Sequence, residues 1–145
     1  MEGLHLAVGL AVIGTNLLAG VWGGVAWLRN RPSVVFWYLL RAAQATVVVQ
    51  VIIGAALLVL GHQAADGLHY LYGLLPVLVS LLAEGARVGA AERELSGIDF
   101  DSLPSDRQRL FALAIVRRET GIMAVSALVV LFLALRAAET SGRLF

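Results

Sequence analysis

The sequence predicts an all-α integral membrane protein, an antiparallel bundle of four transmembrane helices with both termini on the extracytoplasmic side. Three observations predict it. Hydrophobic residues make up 59% of the chain and the mean hydropathy is +0.84, well above the roughly 45–50% apolar content of soluble domains. Apolar stretches long enough to cross ~30 Å of hydrocarbon recur over 4–28, 34–60, 67–84 and 115–137. Every basic residue is an arginine, and if the helices alternate in direction, Arg29, Arg31, Arg41, Arg87, Arg93, Arg107, Arg109, Arg117 and Arg118 share one side, with Arg136 and Arg143 opposite. The positive-inside rule then puts the larger group in the cytoplasm, and both termini with the loop 61–66 outside, in a multi-pass protein of the cell membrane.

The expected helices form a single membrane domain over 1–145. Helix 1 has no basic stretch before it and no small-residue cleavage site after it, so it reads as a retained span. Trp22, Trp27, Trp37 and Tyr38 mark its cytoplasmic boundary. The short turn Arg29-Asn30-Arg31-Pro32 returns helix 2 beside helix 1, and a second tight connection after Leu60 leads to Asp66, a candidate cap for helix 3. Between helices 3 and 4 lies the one long polar stretch, a cytoplasmic extension and loop over about 85–114. Within it Asp101, Ser102 or Ser105 can cap a segment in which Leu110, Phe111, Leu113 and Ala114 recur at helical spacing, so helix 4 is able to start before the bilayer. Arg41 and Glu84, at similar depth on helices 2 and 3, are expected to pair, and Asn16, Ser80 and Ser126 to bond between helices.

Composition also excludes. Without cysteine there is no disulfide, iron–sulfur cluster or covalently attached haem. A net charge of +1 argues against a nucleic-acid partner. The bilayer itself is the first partner.

The chemistry-bearing signal is a pattern that occurs twice. Glu2-Gly3-Leu4-His5 runs on to Gly9-Leu10, and Asp66-Gly67-Leu68-His69 runs on to Gly73-Leu74. Each copy opens an apolar helix, with the His in its first turn and a glycine one turn further on the same face. In a four-helix bundle helices 1 and 3 lie on a diagonal, so the two imidazoles face each other near the outer surface. Neutral imidazole is a common axial ligand of haem iron, and two imidazoles from opposing helices meet the need of bis-His ligation. On this reading His5 and His69 are the metal ligands, and Gly9 and Gly73 let a flat macrocycle approach the backbone. The other open reading makes both histidines polar helix ends, with Glu2 and Asp66 as caps and the glycines as packing sites. His62 falls in the outer loop and is expected to be solvated. Gln50, an amide at bilayer depth, needs a partner such as a porphyrin substituent, another helix or water. Arg136 ends helix 4 where haem propionates would emerge and can pair with a carboxylate; an ordinary interfacial arginine is the equal alternative.

The string Gln50-x-x-x-Gly54-Ala55, followed by a helix bearing His69 and preceded by Glu2-x-x-His5, resembles the haem A synthase family over about residues 2–84. Proteins of that family usually consist of two four-helix halves, and this chain is similar to one half. The resemblance implies a haem-binding site that takes in Gln50 and Gly54, oxidation of a haem O methyl group to the formyl of haem A, and Glu2 as the catalytic carboxylate. The family usually follows the first His with Arg, where this chain has Leu6. Haem b is the expected cofactor, with haem O or A as alternatives, and a homo-oligomer would rebuild the two-half arrangement. The rival reading is a cofactor-free accessory subunit or assembly factor of a membrane respiratory complex, motivated by the polar segment 85–118.

Overall fold

A computed structural model describes residues 2–141, so Arg143 lies outside the described residues. Four helices account for most of them: α1 (Glu2–Leu28), α2 (Val34–Val59), α3 (Leu68–Leu95) and α4 (Ser105–Glu139), with a 3₁₀ turn, Phe100–Ser102, between the last two. All four are long and apolar enough to cross a membrane, and the described residues contain no strand. Their outward faces carry Leu18, Ile52, Leu81, Leu82 and Phe132, all exposed. Helices that are apolar on both inner and outer faces are suited to lipid as the surrounding solvent.

Each boundary has a local cause. α1 ends in a Schellman motif: Asn30 adopts the left-handed region (φ 52°), its N–H donates to the Trp27 carbonyl, and the Arg31 N–H donates to Ala26. α2 ends the same way around Gly61 (φ 85°), with Gly61 and His62 donating to Leu58 and Leu57. Ser33 caps α2 by accepting from the Phe36 N–H, and its hydroxyl also accepts from the Trp22 indole at 2.9 Å. Asp66 stands one position upstream of the formal cap of α3, Gly67, yet its carboxylate accepts the Leu68 N–H at 2.9 Å.

The polar stretch between the last two helices is mostly helical. α3 continues to Leu95 and α4 begins at Ser105, whereas hydropathy ends one near 84 and begins the other near 115. Ala90 is buried here, and the extension is tied by an ion pair of Arg118 with Glu94 at 2.5 Å.

The helices pack in the order α2, α1, α4, α3, with only sparse contact between α2 and α3. α1 and α3 therefore occupy opposite corners. Early residues of α1 sit against late residues of α2: His5 by Gly54, Thr15 hydroxyl to Thr46 hydroxyl at 3.1 Å, Gly23 against Phe36. One core cluster gathers Ala19, Phe36, Leu40, Ala43, Met123 and Ala127, and a smaller one Val12, Val47 and Val130. Glycine makes the close approaches: a Cβ on Gly23 would stand 2.9 Å from the Ala124 Cβ, and one on Gly121 2.8 Å from the Trp27 indole nitrogen.

Arg41 meets Glu84 as expected, at 2.5 Å, but within a larger network. Gln44 donates to Glu84 at 2.9 Å, and Arg87 bridges Glu84 and Glu119 at 2.8 and 3.3 Å while lying over the Trp37 ring. These side chains fasten α2, α3 and α4 at one end of the bundle. Asn16, Ser80 and Ser126 do not bond between helices; they donate to the carbonyls of Val12, Pro76 and Met123 in their own helices. A short polar side chain reaches its own preceding turn more readily than a neighbouring helix.

Candidate functional site

At the end of the bundle away from that network, a cavity of about 720 Å³ opens among all four helices and the α2–α3 loop. This lies within the ~300–1,000 Å³ range of small-molecule and cofactor sites. α1 contributes Glu2, His5 and Gly9, one face of its first turns. α2 contributes Gln50 and Gly54 from its last turns, and α3 contributes His69, Tyr72, Gly73 and Pro76. α4 supplies only small residues, Ala134, Ala137 and Ala138.

The two histidines come together at its head, with ring centroids 6.1 Å apart and planes at 64°. His69 Nδ1 lies 2.9 Å from the Ala137 carbonyl oxygen. A carbonyl only accepts, so Nδ1 carries the proton and Nε2 of the neutral ring carries the lone pair. Gln50 Nε2 lies 3.3 Å from His5 Nε2. An amide nitrogen only donates, so His5 Nε2 is the acceptor, and its lone pair too is on Nε2. Gln50 Oε1 is buried with no hydrogen-bond partner among the described residues.

The glycines divide into two kinds. A Cβ on Gly9 would stand 3.1 Å from Gln50 Nε2, and one on Gly54 3.2 Å from His5 Cε1. The space beside them is therefore taken by the site's own side chains, at Gly9 where the sequence suggests room for a macrocycle. Gly73 has nothing within 4 Å of its Cβ position and borders open cavity. Pro76, one turn on, has no N–H to give the Tyr72 carbonyl, so the α3 wall lacks one of its helical bonds.

Glu2 and His62 stand at the mouth, the carboxylate 3.7 Å from His62 Nε2, both about half exposed. His62 thus faces the cavity rather than open solvent alone. Tyr70 accepts the Ala64 N–H at 2.9 Å and holds the loop over the site. Arg136 is not among the cavity-lining residues; it pairs with Glu139 on its own helix and lies over the Tyr72 ring. An acid one turn away on the same helix is within reach without any ligand, which accounts for its position.

Ala137, Tyr72 and Pro76 are absent from the sequence reading of the site. Ala134, Ala137 and Ala138 form a small-residue stripe at helical spacing, and that signal was available. The Ala137 carbonyl has no side-chain signature. Among the described residues no group of three or more His, Cys, Asp or Glu side chains could hold a metal ion. Comparison with protein-family models, with curated proteins and with solved structures yields no match for this chain.

Proposed function

We propose that the chain is a haem-binding protein of the cell membrane, its helices crossing antiparallel with both termini outside. His5 and His69 would be the axial ligands, and haem b the resident form. The observation that carries this reading is the pair of imidazoles, brought from opposite corners of the bundle to 6.1 Å at the head of a 720 Å³ cavity. His5 and His69 would hold the group through their ring nitrogens. The Ala137 carbonyl fixes His69 in the tautomer that leaves its Nε2 for a metal, as outer hydrogen bonds do for ligating histidines, while Gln50 lies on Nε2 of His5. Two protein nitrogens suffice for haem, whose porphyrin supplies the other four.

The fit is good at His69, and at His5 it requires Gln50 to release the ring. The open side of Gly73 is a feature that a bound macrocycle would engage. Haem iron, when bound, would supply one-electron redox chemistry. The protein's part is to orient two imidazoles, to narrow the wall with alanines, and to hold a carboxylate and an imidazole, Glu2 and His62, 3.7 Å apart at the mouth. The resemblance to one half of a haem A synthase makes oxidation of a haem O methyl group, with Glu2 as its carboxylate, the reaction to assay. A homodimer would restore the two-half arrangement.

The test is a reduced-minus-oxidised visible spectrum of detergent-purified protein from haem-replete cells, with a pyridine haemochrome assay. A low-spin spectrum is expected, lost in His5→Ala and in His69→Ala. Colourless wild-type protein overturns the proposal and favours a cofactor-free subunit of a larger complex.

A further inference from the structure

A second cavity, of about 260 Å³, lies at the opposite end, between the α1–α2 turn and the middle of α4. Its polar lining is Trp27, Asn30, Arg31, Arg117 and Thr120, with no acidic residue; Ala26, Pro32 and Leu113 supply apolar wall. The Schellman turn at Asn30 sets Arg31 at the cavity, and the helical register of α4 brings Arg117 and Thr120 to it from the other side.

Arg41, Arg87, Arg118 and Arg136 are each matched to a glutamate, whereas Arg31 and Arg117, like Arg29, Arg93, Arg107 and Arg109, have no ion-pair partner among the described residues; Arg31 and Arg117 are the two of these that line the cavity. The Trp27 indole N–H is packed beside Gly121 and likewise has no acceptor among them. Two uncompensated guanidiniums, an indole N–H and an amide around one apolar-walled hollow make a site rich in donors and empty of acceptor charge. Basic pockets between membrane helices on the arginine-rich side recognise phosphate-bearing headgroups, and guanidinium forks match phosphate oxygens two at a time.

The geometry points to a binding site for a phosphate-type anion, a phospholipid headgroup or free phosphate, held by Arg31 and Arg117 with Trp27 and Asn30. This site is separate from the histidine cavity and holds whether or not that cavity binds haem. The apolar wall of Ala26, Pro32 and Leu113 lies where an acyl chain would run on from the headgroup.

Full-length protein in detergent is titrated with phosphatidylglycerol and with phosphatidylcholine of the same chain length, and retained lipid is counted by native mass spectrometry. Wild type is expected to prefer phosphatidylglycerol by about tenfold or more, and Arg31→Gln/Arg117→Gln to lose about tenfold in affinity for it. Arg107→Gln/Arg109→Gln removes equal charge outside the cavity and is expected to bind like wild type. Displacement of the lipid by millimolar inorganic phosphate assigns the site to the free anion; failure to displace assigns it to the headgroup, and both support the site. Equal wild-type binding of the two lipids overturns it without any variant, and so does an equal loss in both double variants with helical circular dichroism unchanged.

Discussion

Gln50 holds the deciding position in the histidine cavity, because its amide donates to the same nitrogen of His5 that a metal would take. Binding iron at His5 means giving up that hydrogen bond, worth about 0.5–1.5 kcal/mol net. Gln50→Leu is therefore expected to raise haem affinity about 2–10-fold, read from competition with apomyoglobin, while His69→Ala removes the low-spin spectrum outright. The pairing of His5 with His69 was legible because both sit in the first turn of their helices, within a repeated Gly-Leu-His context. The tautomers were not legible. They depend on a backbone carbonyl at Ala137 and on the angle at which Gln50 enters, and neither leaves a mark in residue type. Arg136 shows the converse: its charge invited a ligand role, and the acid one turn along satisfies it locally.

Helix contacts divide sharply between crowded and open glycines. Gly23 faces the Phe36 ring and the Ala124 Cβ, whereas Gly24 has nothing within 4 Å of its Cβ position. Gly23→Val is expected to cost about 1–3 kcal/mol by overpacking, and Gly24→Val to stay within about 0.5 kcal/mol; thermal denaturation in detergent separates them. Glu84→Gln removes the charge and one of the two acceptor oxygens that hold Arg41, Gln44 and Arg87, with an expected loss of about 1.5–3 kcal/mol by the same measurement. Hydropathy located four helices and the cap at Ser105 pointed to the early start of α4, but hydropathy alone reports how much chain suits hydrocarbon and not how far a helix runs. Ala90-Ala91-Glu92-Arg93-Glu94 is polar yet strongly helix-forming, so α3 extends through it to Leu95. The Arg41–Glu84 pair was readable from opposite charges at matching depth. Glu119 was not, because the rotation of α4 that turns it toward Arg87 leaves no mark in residue type.

The arrangement of the whole chain in the bilayer rests on the arginine asymmetry and admits a direct check. The protein has no cysteine, so single substitutions report sidedness without background. Gln63→Cys is expected to react with an impermeant maleimide in intact cells, and Asp101→Cys only after permeabilisation; the reverse pattern would invert the orientation. The packing order α2, α1, α4, α3 also bears on how the molecule is made. α1 and α2 can join as a hairpin once both have emerged from the ribosome, but α3 then meets α2 only along a sparse seam and waits for the helix it packs on. That helix, α4, follows α3 in the chain. His69 gains its hydrogen bond only when Ala137, near the end of α4, has been inserted. A nascent chain arrested before α4 thus holds both histidines yet lacks the cavity wall that orients one of them, and maturation of the site is timed by the arrival of α4.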